Sequence, residues 1–260
     1  VDAADQNHVR LAGGVENQGT IVARLGTIAM ASGDLVTLTF SEDGLISLAI
    51  DEKVAETVLD MNGAPITDQI KNTGTIEADG GVVLFQADSI NGLFEKAVNL
   101  EGTIRASAVE ESEGTVRVIA SGDVRLDAEI EADTIEISDP DGLVAANVEI
   151  TEEGSLTASI GISIYALNNI INEGNIQATG SGFVSMDCLG AMAPGDISTE
   201  YGAITIGSVM APSEILGTPH YTHTEGDIDI TQKSGDDNIT ILETSRGDIL
   251  RYATQGDLTL

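Results

Sequence analysis

Apolar and polar positions alternate in short runs along most of the chain, and one nine-residue pattern introduces several of these runs. The pattern is aliphatic-x-Asn-x-Gly-x-Ile-x-Ala. It occurs at residues 15–23, 70–78 and 170–178, with a weaker copy at 98–106 in which Leu100 replaces the Asn. Asn and Gly accept left-handed backbone angles, and the period-two tail sends alternate side chains to one face of a strand. Each copy therefore predicts a turn followed by a short strand.

Further short strands are predicted between Gly-Asp turns, and two segments interrupt them. In the last quarter of the chain, strand starts at Gly226, Asp237, Gly247 and Gly256 lie 11, 10 and 9 residues apart. Residues 54–61 have apolar positions at helical spacing and are followed by Asn-Gly, which predicts a short helix. Residues 91–97 predict a second, smaller excursion.

Short strands at this spacing fit either a β-sandwich or a stack of repeats. Three features favour the stack: the same turn recurs, aromatic residues make up only 3% of the chain, and two strands take about 20 residues, as in one coil of a parallel β-helix. The prediction is an all-β, right-handed parallel β-helix with short helical or loop excursions. We expect one elongated domain over residues 1–260, forming a segment of a longer chain.

The charge of the chain excludes some partners. There are 11 Lys and Arg against 43 Asp and Glu, giving a net charge of −32. This argues against nucleic acid, which requires basic patches, and against docking on an anionic membrane. No apolar run approaches the length of a membrane span, so membrane insertion is not expected.

The acids are concentrated in one interval of the chain. Between Leu126 and Gln232 there is no Lys or Arg, yet there are 18 Asp and Glu. Residues 127–133 alternate acid with apolar side chains, and the alternation changes phase at Thr134, which predicts a corner. These acids either form a solvated face that keeps a β-protein soluble or bind divalent cations or a basic partner.

Calcium is the one cofactor that these patterns indicate. Glu129 and Glu131 are candidate ligands because acids on neighbouring strands would lie only about 5 Å apart. Asp236 and Asp237 are candidates because residues 235–241 resemble a single calcium-binding nonapeptide repeat. A plain Gly-Asp turn before a strand is the alternative explanation for the second pair.

Other candidate chemistry is sparse. His220, Tyr221 and His223 lie in a stretch with little strand pattern, which predicts either a metal- or ligand-binding loop or a polar surface loop. Cys188 is the only cysteine, so no intramolecular disulfide is possible, and its strand-like surroundings favour a core position over a nucleophile. No Gly-x-Ser-x-Gly elbow or phosphate loop is present.

The repeat, followed by Gly-x-Val-x-Leu-type strands, resembles the secreted exoproteins of two-partner secretion, the filamentous haemagglutinin-like adhesins. The densest match is residues 15–50, and the likeness continues through 70–84 and 98–126, roughly half of the chain. That family's N-terminal cap and its Asn-Pro-Asn-Gly-type signature are missing, which suggests that the segment begins partway into its parent protein.

This resemblance implies a non-enzymatic, secreted or cell-surface module that mediates adhesion or forms a surface fibre. The implied partners are a glycan or protein on a host or neighbouring cell, an outer-membrane transporter during secretion, and other copies bound end to end. The alternative is a β-helical carbohydrate-active enzyme, a polysaccharide lyase or hydrolase. Such an enzyme gathers carboxylates, often with Lys or Arg, in a groove, so convergence of acids and bases from different coils in a cleft distinguishes the two hypotheses.

Overall fold

The structure, a computed structural model, describes residues 2–3, 8–12, 14–40, 46–60, 62–139, 142–207, 214–216, 220–223, 227–234, 240–243 and 249–255. Within these ranges the chain is all-β, without a helix, and its strands pair almost entirely in parallel. The all-β prediction is confirmed.

The strands are short and follow one another closely, and they are numbered here in chain order. They are β1 Asp2–Ala3, β2 His8–Ala12, β3 Val15–Asn17, β4 Thr20–Ala23, β5 Thr27–Ser32, β6 Leu35–Phe40, β7 Ile46–Glu52, β8 Asp68–Asn72, β9 Thr75–Glu77, β10 Val82–Ala87, β11 Lys96–Leu100, β12 Thr103–Ala106, β13 Thr115–Ala120, β14 Val124–Leu126, β15 Glu129–Ile137, β16 Val148–Ile150, β17 Ser155–Ala166, β18 Ile170–Asn172, β19 Asn175–Ala178, β20 Phe183–Cys188, β21 Ala191–Ala193, β22 Asp196–Thr199, β23 Ile204–Ile206, β24 Glu214–Ile215, β25 His220–His223, β26 Ile228–Ser234, β27 Thr240–Glu243 and β28 Ile249–Gln255.

Eight of these strands form a parallel sheet, the small sheet, in the order β3-β8-β11-β14-β16-β18-β21-β24. From Ile70 onward, paired residues lie 28, 26, 24, 22, 22 and 23 positions apart in the sequence. This period is longer than the predicted 20 residues because the chain makes a third strand in most repeats. Between β11 and β14, for example, it passes through β12 and β13 of a second sheet.

The second sheet, the large sheet, contains eighteen strands arranged as two parallel ladders. One ladder includes β12, β15, β17 and β19, and the other includes β13, β15, β17 and β20. Strands β15 and β17 are long enough to belong to both. The register between them shifts at Asp133, between Ala132 and Thr134, so the chain changes phase where the sequence pattern predicts a corner. Buried Asp133 fixes that corner, accepting hydrogen bonds from the Gly114 N–H (2.7 Å) and the Ser159 hydroxyl (2.6 Å).

The core between the sheets is a continuous cluster of Ile, Val, Leu and Ala that extends from Val15 to Ile230. Phe85 and Tyr221 are the largest side chains that are fully buried in the described part of the chain. Cys188 is also fully buried and pairs with Ala166, as the sequence predicts for a core residue. Thin layers of aliphatic side chains suit this core because each repeat buries its apolar side against the next.

The repeat motif stacks in register through its Asn and Gly residues. The amide of Asn17 donates to Oδ1 of buried Asn72 (2.7 Å), and the Asn72 amide donates to the Gly74 carbonyl (3.2 Å). The N–H of Thr75 donates to the Gly19 carbonyl (2.9 Å). Leu100, which replaces Asn in the weaker copy, occupies the same register position and is fully buried. The Asn position of the stacked motif therefore accepts either a hydrogen-bonded amide or an aliphatic side chain.

The predicted helix at 54–61 is wrong. Val54 forms a parallel bridge with Ser89, and Leu59 forms an antiparallel bridge with Pro65. Asp60 Oδ1 accepts from the N–H groups of Asn62 and Ala64, both at 2.8 Å. A carboxylate that binds the backbone two and four residues later favours a turn over a helix, and this local turn wins over the apolar spacing.

The segment between β5 and β8 differs from the prediction in a second way. Strands β6 and β7, which the sequence pattern predicts as further strands of the stack, pair with each other as an antiparallel hairpin. The small-sheet partners Val15 and Ile70 are consequently 55 positions apart, about twice the spacing of the later repeats. The hairpin and the segment after it are therefore an insertion within one repeat.

Two glycines of the same motif are expected to respond differently to alanine. A Cβ on Gly74 would overlap the Gly19 carbonyl oxygen below it, whereas a Cβ on Gly19 would meet only Asn17 Oδ1, at 4.0 Å. We expect Gly74→Ala to destabilise the protein by roughly 1–3 kcal/mol, the usual cost of overpacking, and Gly19→Ala to be nearly neutral. Urea denaturation followed by circular dichroism measures both. Equal midpoints for the two variants would contradict the stacked geometry.

Candidate functional site

The structure places Glu129 and Glu131 on the exposed side of β15, but not beside other acids. Glu129 pairs with Thr103 and Ser155 on the neighbouring strands, and Glu131 pairs with Arg105 and Thr157. The expectation that acids of successive strands oppose each other is therefore wrong for these residues. Their calcium role stays a prediction.

Other predicted metal ligands are not brought together. No group of three or more His, Cys, Asp and Glu side chains that could hold a metal ion occurs in the ranges that the structure describes. Asp236 and Asp237 lie outside those ranges, so the nonapeptide hypothesis stays a prediction.

The stretch containing His220, Tyr221 and His223 is a strand, β25, and not the predicted loop. Tyr221 pairs with Ile197 and is fully buried, so it belongs to the core. The sequence pattern does not show Tyr221 as a core position, because this tyrosine lies between two polar histidines. The binding role of the three residues stays a prediction.

A group of charged residues that the sequence reasoning missed lies on the outer side of the small sheet. We call it the charged face. It consists of Asp68, Lys71, Lys96, Asn99, Glu101, Arg125, Asp127 and Glu149.

The register of β3, β8, β11, β14 and β16 builds this face. At one position the strands contribute, in order, Glu16, Lys71, Asn99, Arg125 and Glu149. Glu16 stands beside Lys71 and Glu149 beside Arg125, while Asn99 separates the two bases, so no two like charges are direct neighbours in this column. Alignment of the repeats reveals the column, because three of these residues occupy the second position of the motif.

Each base of the charged face is ion-paired. Lys71 Nζ lies 3.2 Å from Glu101 Oε1, Lys96 Nζ lies 3.3 Å from Glu149 Oε2, and Arg125 Nη2 lies 3.3 Å from Asp127 Oδ2. All these side chains are partly exposed, and ion pairs at such sites contribute only about 0–1 kcal/mol to stability. They orient the side chains more than they stabilise the fold.

Asn99 lies at the centre of the face and is almost completely buried. Its amide nitrogen donates to Asp68 Oδ2 (3.0 Å) and Glu101 Oε1 (2.9 Å), so one side chain holds two carboxylates in place. Its carbonyl oxygen has no hydrogen-bond partner among the described residues. A buried oxygen without a hydrogen bond lowers the stability of the folded state.

A cleft of about 350 Å³ opens beside the face, next to Asp68 and Lys71, and extends to Glu16, Asp60 and Ile66. The backbone N–H groups of Ala64 and Asn62 hold the pKa of the fully exposed Asp60 carboxyl below its usual value. Acids and a base from different strands therefore do converge at a cleft, in the part of the chain before the base-free interval.

A second group of ion pairs lies on the large sheet and holds the buried carboxylate of Asp79 in place. Arg105 binds Asp79 through two parallel hydrogen bonds, Nε to Oδ1 (3.0 Å) and Nη2 to Oδ2 (2.8 Å), and lies 3.6 Å from Glu77. The hydrogen bond to Asp79, followed by the charge of that residue, raises the pKa of the Arg105 guanidinium above its usual value. Asp79 also accepts from the N–H of Ser107 (3.3 Å), so this group ties adjacent turns together.

Comparison with protein-family models, with curated proteins and with solved structures finds no match to this chain. Within the described ranges there is also no helix with the length and apolar character that a membrane crossing requires. Functional inference for this chain therefore depends on its own residues and their arrangement.

The two arginine pairs of the large sheet are expected to differ in stability. Arg105→Gln leaves the Asp79 carboxylate buried with one backbone donor, so we expect a loss of about 1–3 kcal/mol. Arg117→Gln is the matched control, because the Glu136 partner of Arg117 is itself well exposed, and here we expect less than about 1 kcal/mol. Chemical denaturation of both variants tests this. A larger loss for Arg117→Gln would refute the assigned role of Asp79.

Proposed function

We propose that this chain is a non-enzymatic module of a secreted or cell-surface, filamentous haemagglutinin-like protein. It forms a right-handed parallel β-helix that presents adhesive surfaces or contributes to a surface fibre. The observation that supports this best is the set of three parallel ladders around one aliphatic core, with small-sheet partners 22–28 residues apart after the insertion. Repeats that bury their faces on one another extend in one direction, and parallel crossovers are nearly always right-handed.

A stacked module of this kind is suited to holding binding surfaces away from a cell. The eight strands of the small sheet, at about 4.8 Å each, make a stack roughly 34 Å high. Its partners are a glycan or protein on a host or neighbouring cell, an outer-membrane transporter during secretion, and further copies joined end to end. The net charge of −32 keeps such a β-rich surface soluble.

A second candidate function, a carbohydrate-active enzyme, is supported by the convergence of acids and a base at the cleft beside the charged face. Lys71 with Glu16, Asp60 and Asp68 beside a cleft is the kind of grouping that polysaccharide lyases and hydrolases use. The Lys71 ammonium is held by Glu101 and lies 3.9 Å from Asp68 Oδ2. Under this alternative, Lys71 acts in proton transfer and the acids orient the sugar.

The adhesive proposal predicts both shape and binding. Residues 1–260 are expected to give small-angle X-ray scattering of an elongated particle, and a fluorescently labelled sample is expected to bind fixed cells in a saturable way. Unlabelled protein competes for a true surface receptor, which distinguishes it from non-specific adsorption. Scattering from a compact sphere would refute the β-helix, and the absence of competed binding to a panel of cell types would refute adhesion.

The two functions are separated by an activity assay on neutral and uronic-acid polysaccharides. We expect no increase in reducing ends and no unsaturated product from the native chain. Lys71→Ala and Lys96→Ala form a matched pair, since both remove an ion-paired lysine but only Lys71 lines the cleft. Product formation that Lys71→Ala abolishes and Lys96→Ala retains would establish the enzyme instead.

A further inference from the structure

An aromatic ring lies flat on the outer side of the large sheet, in the second half of the described stack. Phe183, the first residue of β20, is 41% exposed and pairs with Gly161 of β17. A Cβ built on Gly161 would lie 2.6 Å from Cζ and 2.8 Å from Cδ1 of the ring. The ring therefore occupies the space above Gly161, with one face against the sheet and the other toward solvent.

Aromatic residues are few in this chain, and the described ones include both buried and exposed rings. There are four Tyr and four Phe, with no Trp. Phe85 and Tyr221 fill the core, whereas Phe183 and Tyr201 are exposed, at 41% and 53%. The Phe183 side chain, which rests on a glycine and faces water, contributes little to the core and offers an aromatic face to a ligand.

Hydroxyl groups extend from this ring along the strands. Two positions beyond the Gly161–Phe183 pair, Ser163, Ser185 and Thr205 occupy one column, and all three are partly exposed. Two positions further, Tyr165 pairs with Asp187. Phe183 and Tyr165 thus bracket the hydroxyl column, four residues or about 13 Å apart along the strand direction.

The charge around this surface disfavours an anionic ligand. It lies inside the interval from Leu126 to Gln232 that has no Lys or Arg. Arg117, which occupies the same column three strands away from Ser185, binds Glu136 at 2.6 Å. Nucleic acid and acidic glycans require unpaired bases, so an anionic occupant does not fit this surface.

The pattern of one ring and a row of hydroxyls matches the chemistry of a neutral sugar chain. A pyranose has an apolar C–H face that packs on an aromatic ring, and hydroxyl edges that exchange hydrogen bonds with Ser, Thr and Tyr. A stable protein interface buries about 800 Å² on each partner around an apolar centre, and single rings separated by hydroxyls do not provide such a centre.

We propose that Phe183, Ser163, Ser185, Thr205 and Tyr165 form a binding surface for a neutral polysaccharide. This inference rests on the proposed adhesive function and names its ligand class and its site. The ring of Phe183 packs against a sugar face, and the column of hydroxyls orients the chain along the strands.

Affinity electrophoresis of residues 1–260 tests the proposal. Native gels contain mannan, dextran, galactan or β-glucan as neutral probes and polygalacturonate as the anionic probe. We expect retardation by at least one neutral polysaccharide, and a loss of about tenfold in affinity for Phe183→Ala. Gly161→Ala, which keeps the phenylalanine but displaces its ring, is expected to weaken binding as well. Ile171→Ala, at a 43% exposed position on the small sheet, is the matched control.

The outcomes separate this inference from the adhesive function. Retardation that both Phe183→Ala and Gly161→Ala reduce, and that Ile171→Ala retains, supports the site. Retardation unchanged in Phe183→Ala overturns the site, and retardation by polygalacturonate alone overturns the neutral ligand class. No retardation by any neutral probe, with competed cell binding intact, overturns the saccharide inference and leaves adhesion standing. Loss of both overturns both. Circular dichroism confirms that each variant is folded.

Discussion

The close approach of successive turns is the constraint on which the rest of this structure depends. Parallel strands stack about 4.8 Å apart, and the turns between them must stack at the same distance. At Gly74 and Gly102 the backbone of the turn below already occupies the space that a Cβ would need. Only glycine satisfies this contact, and the neighbouring Asn17–Asn72 hydrogen bond holds the register. The repeat motif is therefore a direct consequence of backbone packing.

This constraint explains which parts of the fold could be predicted from the sequence. In-register turns and aliphatic positions leave a period that is visible without coordinates, so strands and core residues such as Cys188 were predictable. The hairpin of β6 and β7 was not, because antiparallel and stacked strands share the same alternation. The turn at Asp60 was also not predictable, because two backbone hydrogen bonds to one carboxylate outweigh the helical spacing of the apolar residues. The charged face depends on pairing between strands whose residues are 24–28 positions apart, and it becomes visible in the sequence only when the repeats are aligned with one another.

The structure also resolves how a chain with 43 acids and 11 bases forms ladders of closely spaced strands. Where bases are present, they stand beside acids, as Arg105 does beside Glu131 and Arg117 beside Glu136. Beyond Leu126, hydroxyl residues stand beside several of the acids, as Thr157 does beside Glu131 and Ser163 beside Glu136. Like charges directly opposite each other destabilise a sheet. Other acids of this interval, such as Glu152, Glu153 and Glu200, lie in turns, where solvent screens them.

Bases stand beside acids before Leu126, and hydroxyls stand beside several acids after it. The two halves of the stack therefore have different surface chemistry. In the first half, acids and bases form ion pairs around Asn99, and this half suits polar or charged ligands at its cleft. The second half lacks bases and has hydroxyls with exposed rings, so it favours ligands without negative charge. Strand β17 connects this surface chemistry to the stack itself: Gly161 continues the ladder from Thr134 and also makes room for Phe183. The missing Cβ at Gly161 thus makes room for the ring of Phe183, so the proposed binding surface depends on a residue of the ladder itself.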